Sequence, residues 1–157
     1  MNQILVLLMA ASFILTSCKT SFSQKKTQAH MATEIDNSAT SLTLDAVERF
    51  NAAFNRHDVD AVMNAMTEDC IFENTNPQPD GTRLVGADAV RAYWGKFFAA
   101  NPDAIFETEE IFATGDRCVV RWIYRKTKEG KPWHLRGVDI FKVRNGKVAE
   151  KLAYVKG

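Results

Sequence analysis

Trp133-His134-Leu135-Arg136-Gly137-Val138-Asp139-Ile140-Phe141-Lys142-Val143-Arg144-Asn145-Gly146-Lys147-Val148 decides the fold of this 157-residue chain. It reads as a strand, a tight turn and the start of a second strand. In a strand, side chains alternate between two faces. One face of the first strand therefore carries Trp133, Leu135, Asp139, Phe141 and Val143, with Gly137 leaving a gap among them. His134 and Arg136 fall on the other face. A carboxylate on an apolar face is costly unless it is paired, hydrogen-bonded or neutralised by a raised pKa. The stretch thus predicts a pocket with a perturbed acid at Asp139.

Working outward, Asn145-Gly146 is a hairpin signal leading into a strand over 147–156. Upstream, strands are expected over 104–113 and 117–127. The second has Cys118, Val120, Trp122 and Tyr124 on one face and Arg117, Arg121 and Arg125 on the other. Helices come earlier. Leu44, Val47, Phe50 and Phe54 recur at helical spacing, with Thr43 as N-cap. Asp58 caps a short second helix bearing Val59, Val62, Met63 and Met66. A third, after Gly86, buries Val90, Tyr93, Trp94, Phe97 and Phe98 and stops at Asn101-Pro102. Between them lie a short strand over 70–74 and a turn-rich loop through Pro77, Pro79 and Asp80-Gly81. Helices followed by an antiparallel meander give an α+β domain over 42–157, three helices lying on one face of a curved sheet.

The N-terminus reads as a signal segment over 1–17. Residues 4–15 are an apolar run interrupted only by Ser12, too short to span a bilayer. The run closes on Leu15-Thr16-Ser17-Cys18, the pattern of a bacterial lipoprotein box, which favours Cys18 as the lipidation site over an ordinary secretory signal in which Cys18 is incidental. Residues 18–41, rich in Ser, Thr, Gln and Lys, read as a flexible tether. These features place the protein in the cell envelope on a lipid anchor. Lys19 rather than an aspartate after the cysteine points to the outer membrane, by analogy with enterobacterial sorting.

A net charge of +1, without a basic stripe, gives no case for nucleic acid. No metal-ligand spacing occurs, and no cofactor is implied. Cys70 and Cys118 each sit in an apolar strand, so two buried thiols are expected, with one disulfide as the alternative.

The order of elements, with Gly137-Val138-Asp139-Ile140-Phe141 and Asn145-Gly146-Lys147-Val148, resembles the nuclear-transport-factor-2-like superfamily, in its SnoaL-like polyketide-cyclase and ketosteroid-isomerase branch. Phe54-Asn55-Arg56-His57-Asp58, Phe72-Glu73-Asn74 and Gly86-Ala87-Asp88-Ala89-Val90-Arg91 support it. The resemblance implies a cone-shaped, strongly curved antiparallel sheet (a cystatin-like roll) whose helices close an apolar pocket, and a homodimer. It makes Asp139 the catalytic candidate, as oxyanion-hole donor or acid/base. The isomerase base falls on Asn74 and the isomerase tyrosine on Phe50, so steroid isomerisation by that mechanism is not expected. Pocket residues are expected at Phe50, Phe54, Phe72, Asn74, Trp94, Trp122, Tyr124, Leu135, Phe141 and Lys151. Tyr124 could place a hydroxyl beside Asp139 if their strands align.

Two registers remain open for Lys151. A three-residue turn with Gly146 in a bulge pairs Asp139 directly with Lys151. A strict two-residue turn pairs it with Leu152 and sends Lys151 to the other side. The bland reading of Asp139 is a structural carboxylate held by Lys151 or an arginine, and Glu73 reads as a surface carboxylate. Three functions are weighed: binding of a small, mostly apolar, carbonyl-bearing or aromatic ligand; an isomerase, cyclase or dehydratase using Asp139; and a dimeric interaction scaffold. The loss of the isomerase base and tyrosine ranks binding first.

Overall fold

A computed structural model describes residues 14–156, and their side chains from 24 onward except that of Ile35. Most of the signal segment, and the Cys18 side chain, lie outside the described residues. The described chain divides between Asp36 and Asn37 into two units. Helix α1 (Ile14–Asn55) contributes to both. The tether expected over 18–41 is therefore helical. Its composition argues against burial but not against a helix: Gln, Lys, Ala, Met and Glu are good helix formers. The described side chains from 24 to 38 are all exposed, and His30 and Glu34 pair one turn apart at 3.0 Å. Thr43 does not cap a helix. It is buried in mid-helix, where its hydroxyl donates to Gly115 O (2.8 Å) while Gly115 N donates to Thr40 Oγ1 (2.9 Å).

Within the domain, α1 presents Ala46, Val47, Phe50, Ala53 and Phe54 as a buried stripe, the spacing of one helical face. Asp58 caps α2 (Val59–Asn64), accepting from Ala61 N at 2.9 Å. Because α2 is so short, the next strand starts at Met66 rather than Cys70: β1 (Met66–Glu73) is followed by β2 (Arg83–Val85), within residues read as a loop. Helix α3 (Ala87–Ala100) and strands β3 (Ile105–Thr114), β4 (Arg117–Lys128), β5 (Lys131–Arg144) and β6 (Lys147–Val155) complete the chain.

The sheet runs β2-β1-β6-β5-β4-β3, and its two edge strands do not meet. β3 to β6 form the expected antiparallel meander. The pairing of β1 with β6 is parallel, which corrects the wholly antiparallel expectation. The long excursion through β2, α3 and β3–β5 separates these two strands, and a parallel pair needs such a crossover. Cys70 and Cys118 are both buried free thiols. Burial pushes them up, Cys118 to about 11, so neither carries thiolate character at neutral pH.

Gly137 is required by close packing. A Cβ there would lie 2.3 Å from Tyr154 O and 2.4 Å from Trp122 Cζ2. The gap foreseen in β5 is where the Trp122 indole crosses it. We expect Gly137→Ala to cost about 1–3 kcal/mol through overpacking, read as a lower urea midpoint with unchanged m. A midpoint equal to wild type would show that the indole and the β6 backbone can move apart freely.

Candidate functional site

The β5–β6 hairpin sets the site. Arg144 pairs with Lys147 across a two-residue turn with Asn145 (φ 54°) and Gly146 (φ 69°) both left-handed, which matches the twist of the flanking strands. Val143 then pairs with Val148 but Lys142 with Glu150, so Ala149 is an extra residue in β6. That bulge corrects both registers considered. Asp139 faces Ala153, and Lys151 faces Phe141. Since one extra residue reverses the side-chain faces, Lys151 lands on the Asp139 face, diagonal to it. Its Nζ lies 2.7 Å from Asp139 Oδ2, and the two side chains are 6% and 0% exposed.

The pair is poorly satisfied by protein. Among the described residues the Asp139 carboxylate is met only by the Lys151 ammonium and the Trp122 indole N–H, and both favour the ionised form. Burial outweighs them and raises the Asp139 carboxyl above its ordinary range. The ion pair therefore does not hold the acid low. Around Nζ stand the rings of Phe72, Phe141 and Phe106, with centroids at 5.2, 5.6 and 5.9 Å, close enough for cation–π attraction. Phe72 reaches Lys151 because their backbones are partners across the parallel pair.

A cavity of about 120 Å³ opens beside this pair. An apolar cavity of roughly 150 Å³ takes up benzene, so this space is of the order of one ring. Phe50, Phe54, Phe72, Asn74, Trp94, Trp122, Tyr124, Leu135, Asp139 and Lys151 line it. Phe141 does not. It is fully buried, with its ring 5.7 Å from Phe50. Asn51, Thr75, Tyr93, Phe97, Phe106 and Ala153 also line the cavity and escaped the sequence reading. Tyr93 and Phe97 were legible as part of the apolar face of α3. Phe106 was not, because its inward direction depends on Asn55, whose amide exchanges two hydrogen bonds with the Phe106 backbone (2.9 and 2.8 Å).

Tyr124 does not sit beside Asp139. The register pairs Val120 with Asp139 and Tyr124 with Leu135, about 13 Å apart along the strand; Trp122 occupies the nearer position. The Tyr124 hydroxyl is buried without a partner, and burial pushes it up to about 12. The indole N–H of Trp94 is also buried and unpartnered. Asn74 spends its carbonyl on the loop behind it, accepting from Asn76 N (3.1 Å) and Thr82 N (2.8 Å). Its side chain also hydrogen-bonds the Tyr93 hydroxyl, whose pKa burial raises. Gly81, at φ 75°, lets that loop close: a Cβ there would overlap Asn74 O.

Glu73 pairs with Arg83 (3.2 Å) and is not among the cavity-lining residues. Trp133 leaves the cavity too, packing on Tyr124 and under Lys126 and Lys128. Among the described residues, no three His, Cys, Asp or Glu side chains are grouped to hold a metal ion. Chemically, the site offers hydrogen-bond donors, one buried carboxylate–ammonium pair and aromatic walls. It suits a ring that carries an acceptor oxygen.

Comparison with known proteins agrees with this architecture. The model of the SnoaL-like domain matches residues 47–151. A structure of an NTF2-like protein of unknown function from Mesorhizobium loti is similar at 36% identity, covering 75% of this chain and 93% of that one, with a TM-score of 0.65. A candidate polyketide cyclase from Xanthomonas campestris (21% identity, 75% and 93% coverage, TM-score 0.62) shares the fold. So does a LEH-like epoxide hydrolase from M. tuberculosis (20% identity, 74% and 84% coverage, TM-score 0.62). No curated protein matches the chain. The family match, the Mesorhizobium structure and the curved sheet with its buried acid agree, and the chain belongs to the SnoaL-like family on the nuclear-transport-factor-2-like fold.

Proposed function

We propose that this domain binds a small, mostly apolar ligand, one ring bearing a carbonyl or phenolic oxygen, in the cavity beside Asp139. The observation that carries this reading is the set of polar groups on an otherwise aromatic wall. The Trp94 indole and the Tyr124 hydroxyl are buried without protein hydrogen-bond partners, and the Asp139 carboxylate is met only by the Lys151 ammonium at 2.7 Å and the Trp122 indole among the described residues. Leaving such groups unsatisfied costs about 1–3 kcal/mol each, and an acceptor-bearing ligand would recover part of that. The Leu15-Thr16-Ser17-Cys18 pattern supports a lipid anchor at the envelope. No described helix is long and apolar enough to cross a membrane. Val85, Phe112 and Tyr154 are exposed apolar residues on strands β2, β3 and β6, which supports homodimerisation.

A second reading makes the pocket catalytic. Asp139, raised by burial and paired at 2.7 Å with an ammonium, is poised to exchange a proton in an isomerase, cyclase or dehydratase step on a carbonyl compound. One experiment separates the two: titration of the full chain in mild detergent with phenols and cyclic ketones, from mildly acidic to mildly alkaline pH. It follows the fluorescence of Trp94 and Trp122 in wild type and Asp139→Asn. Binding is expected in both, with the pH dependence lost in the variant. Turnover of a cyclic ketone by wild type alone would establish the second reading. Absence of binding by either protein would refute the first.

A further inference from the structure

Lys151 is a buried primary amine on the wall of a cavity proposed to take a carbonyl compound, and neither reading above uses it as a nucleophile. We infer that Lys151 Nζ forms a Schiff base with a single-ring ketone or aldehyde bound in the cavity, with Asp139 as its proton carrier; this rests on the carbonyl-binding reading of the same site.

Three observations support it. Lys151 is 5% exposed, yet it lines the cavity together with Phe72 and Phe106, the rings that flank its Nζ. Its only ionic partner among the described residues is Asp139. That carboxyl is raised by burial, so passing one proton across the 2.7 Å contact replaces two buried charges with a neutral pair. The surrounding rings leave the amine little water to compete with.

The step balances without an added redox partner. The ammonium gives a proton to Asp139, and the nitrogen lone pair forms a C–N bond to the carbonyl carbon as the C=O π electrons move to oxygen. Asp139 delivers its proton to that oxygen. It then takes a second proton from the nitrogen and returns it to the hydroxyl. Water leaves as the C–O bond breaks, and the nitrogen lone pair closes the C=N bond. The products are a protonated imine, one water and the Asp139 carboxylate.

The test uses the full chain in mild detergent with benzaldehyde and cyanoborohydride, which reduces an iminium to a stable secondary amine that peptide mass spectrometry locates. Lys151 is expected to be labelled roughly tenfold or more faster than the exposed lysines, because the bound aldehyde is held against it. Phenol as competitor should slow labelling at Lys151 alone. Lys151→Arg should abolish the adduct, and Asp139→Asn should slow it. Wild-type labelling with and without phenol decides the matter even if the variants fold poorly. Quenching of tryptophan fluorescence by benzaldehyde with no preference for Lys151 would overturn the Schiff base and leave the binding reading standing. Neither quenching nor preferential labelling would overturn both.

Discussion

Lys151→Met is expected to destabilise the domain by about 3–5 kcal/mol at neutral pH, since it leaves the Asp139 carboxylate buried and uncompensated. Asp139 is wholly buried, and its other neighbours are Trp122 and hydrocarbon. Burial raises its folded-state pKa above the ordinary value of 3.8. A raised acid contributes stability that is present below the unfolded value and lost as pH rises through the folded one. In wild type that loss is limited by Lys151, which favours the ionised form. In Lys151→Met the limit is gone, so the penalty should shrink at acid pH, where Asp139 is protonated, and grow towards neutrality. The double variant Asp139→Leu with Lys151→Met should recover to wild type or exceed it by about 1–4 kcal/mol, because apolar replacement of a buried pair removes two desolvation costs. Urea unfolding of the four proteins at acid and neutral pH measures all of this. A Lys151→Met penalty that does not change with pH would mean that the lost contact is packing against Phe72 and Phe106, not charge.

Phe50→Ala should have a comparable effect by a different route. Phe50 is 1% exposed and meets Trp94 and Phe141 edge to face at 6.1 and 5.7 Å. Truncating such a ring costs about 3–5 kcal/mol, from lost transfer energy and from the void left behind. Here the void joins the existing cavity, because Phe50 is one of its walls. The variant should therefore trade stability for ligand size, with naphthol gaining affinity relative to phenol. Unfolding midpoints and the two affinities provide the check. An unchanged preference would show that the neighbouring rings collapse into the space.

The architecture was legible where one signal dominated. Alternation along β5 put Asp139 and Phe141 on the buried face, and Asn145-Gly146 marked a turn whose two residues are both left-handed. The N-cap at Asp58 was readable because a side-chain acceptor ahead of an apolar run has few other local uses. The site was harder to read. Whether Lys151 meets Asp139 depends on a single bulged residue, Ala149. The strand, Lys147-Val148-Ala149-Glu150-Lys151-Leu152-Ala153-Tyr154-Val155, has no clean alternation from which the bulge could be read. Phe141 shares a face with Asp139, but a shared face does not say which residues reach the cavity and which lie beneath a helix. The parallel contact of β1 with β6 joins segments far apart in sequence, beyond the reach of any local pattern. The helix through 19–41 is not legible from composition, which bears on burial and leaves helix formation open.

We propose that the cavity beside Asp139 and Lys151 is a ligand site rather than a packing defect. A crystal structure of the protein soaked with phenol tests it most directly. One ring should lie in the cavity against Phe72 and Phe106, its oxygen within hydrogen-bond distance of Asp139, Lys151 or an indole N–H. Phenol absent from the cavity at saturating concentration, with the side chains closed over the space, would contradict it.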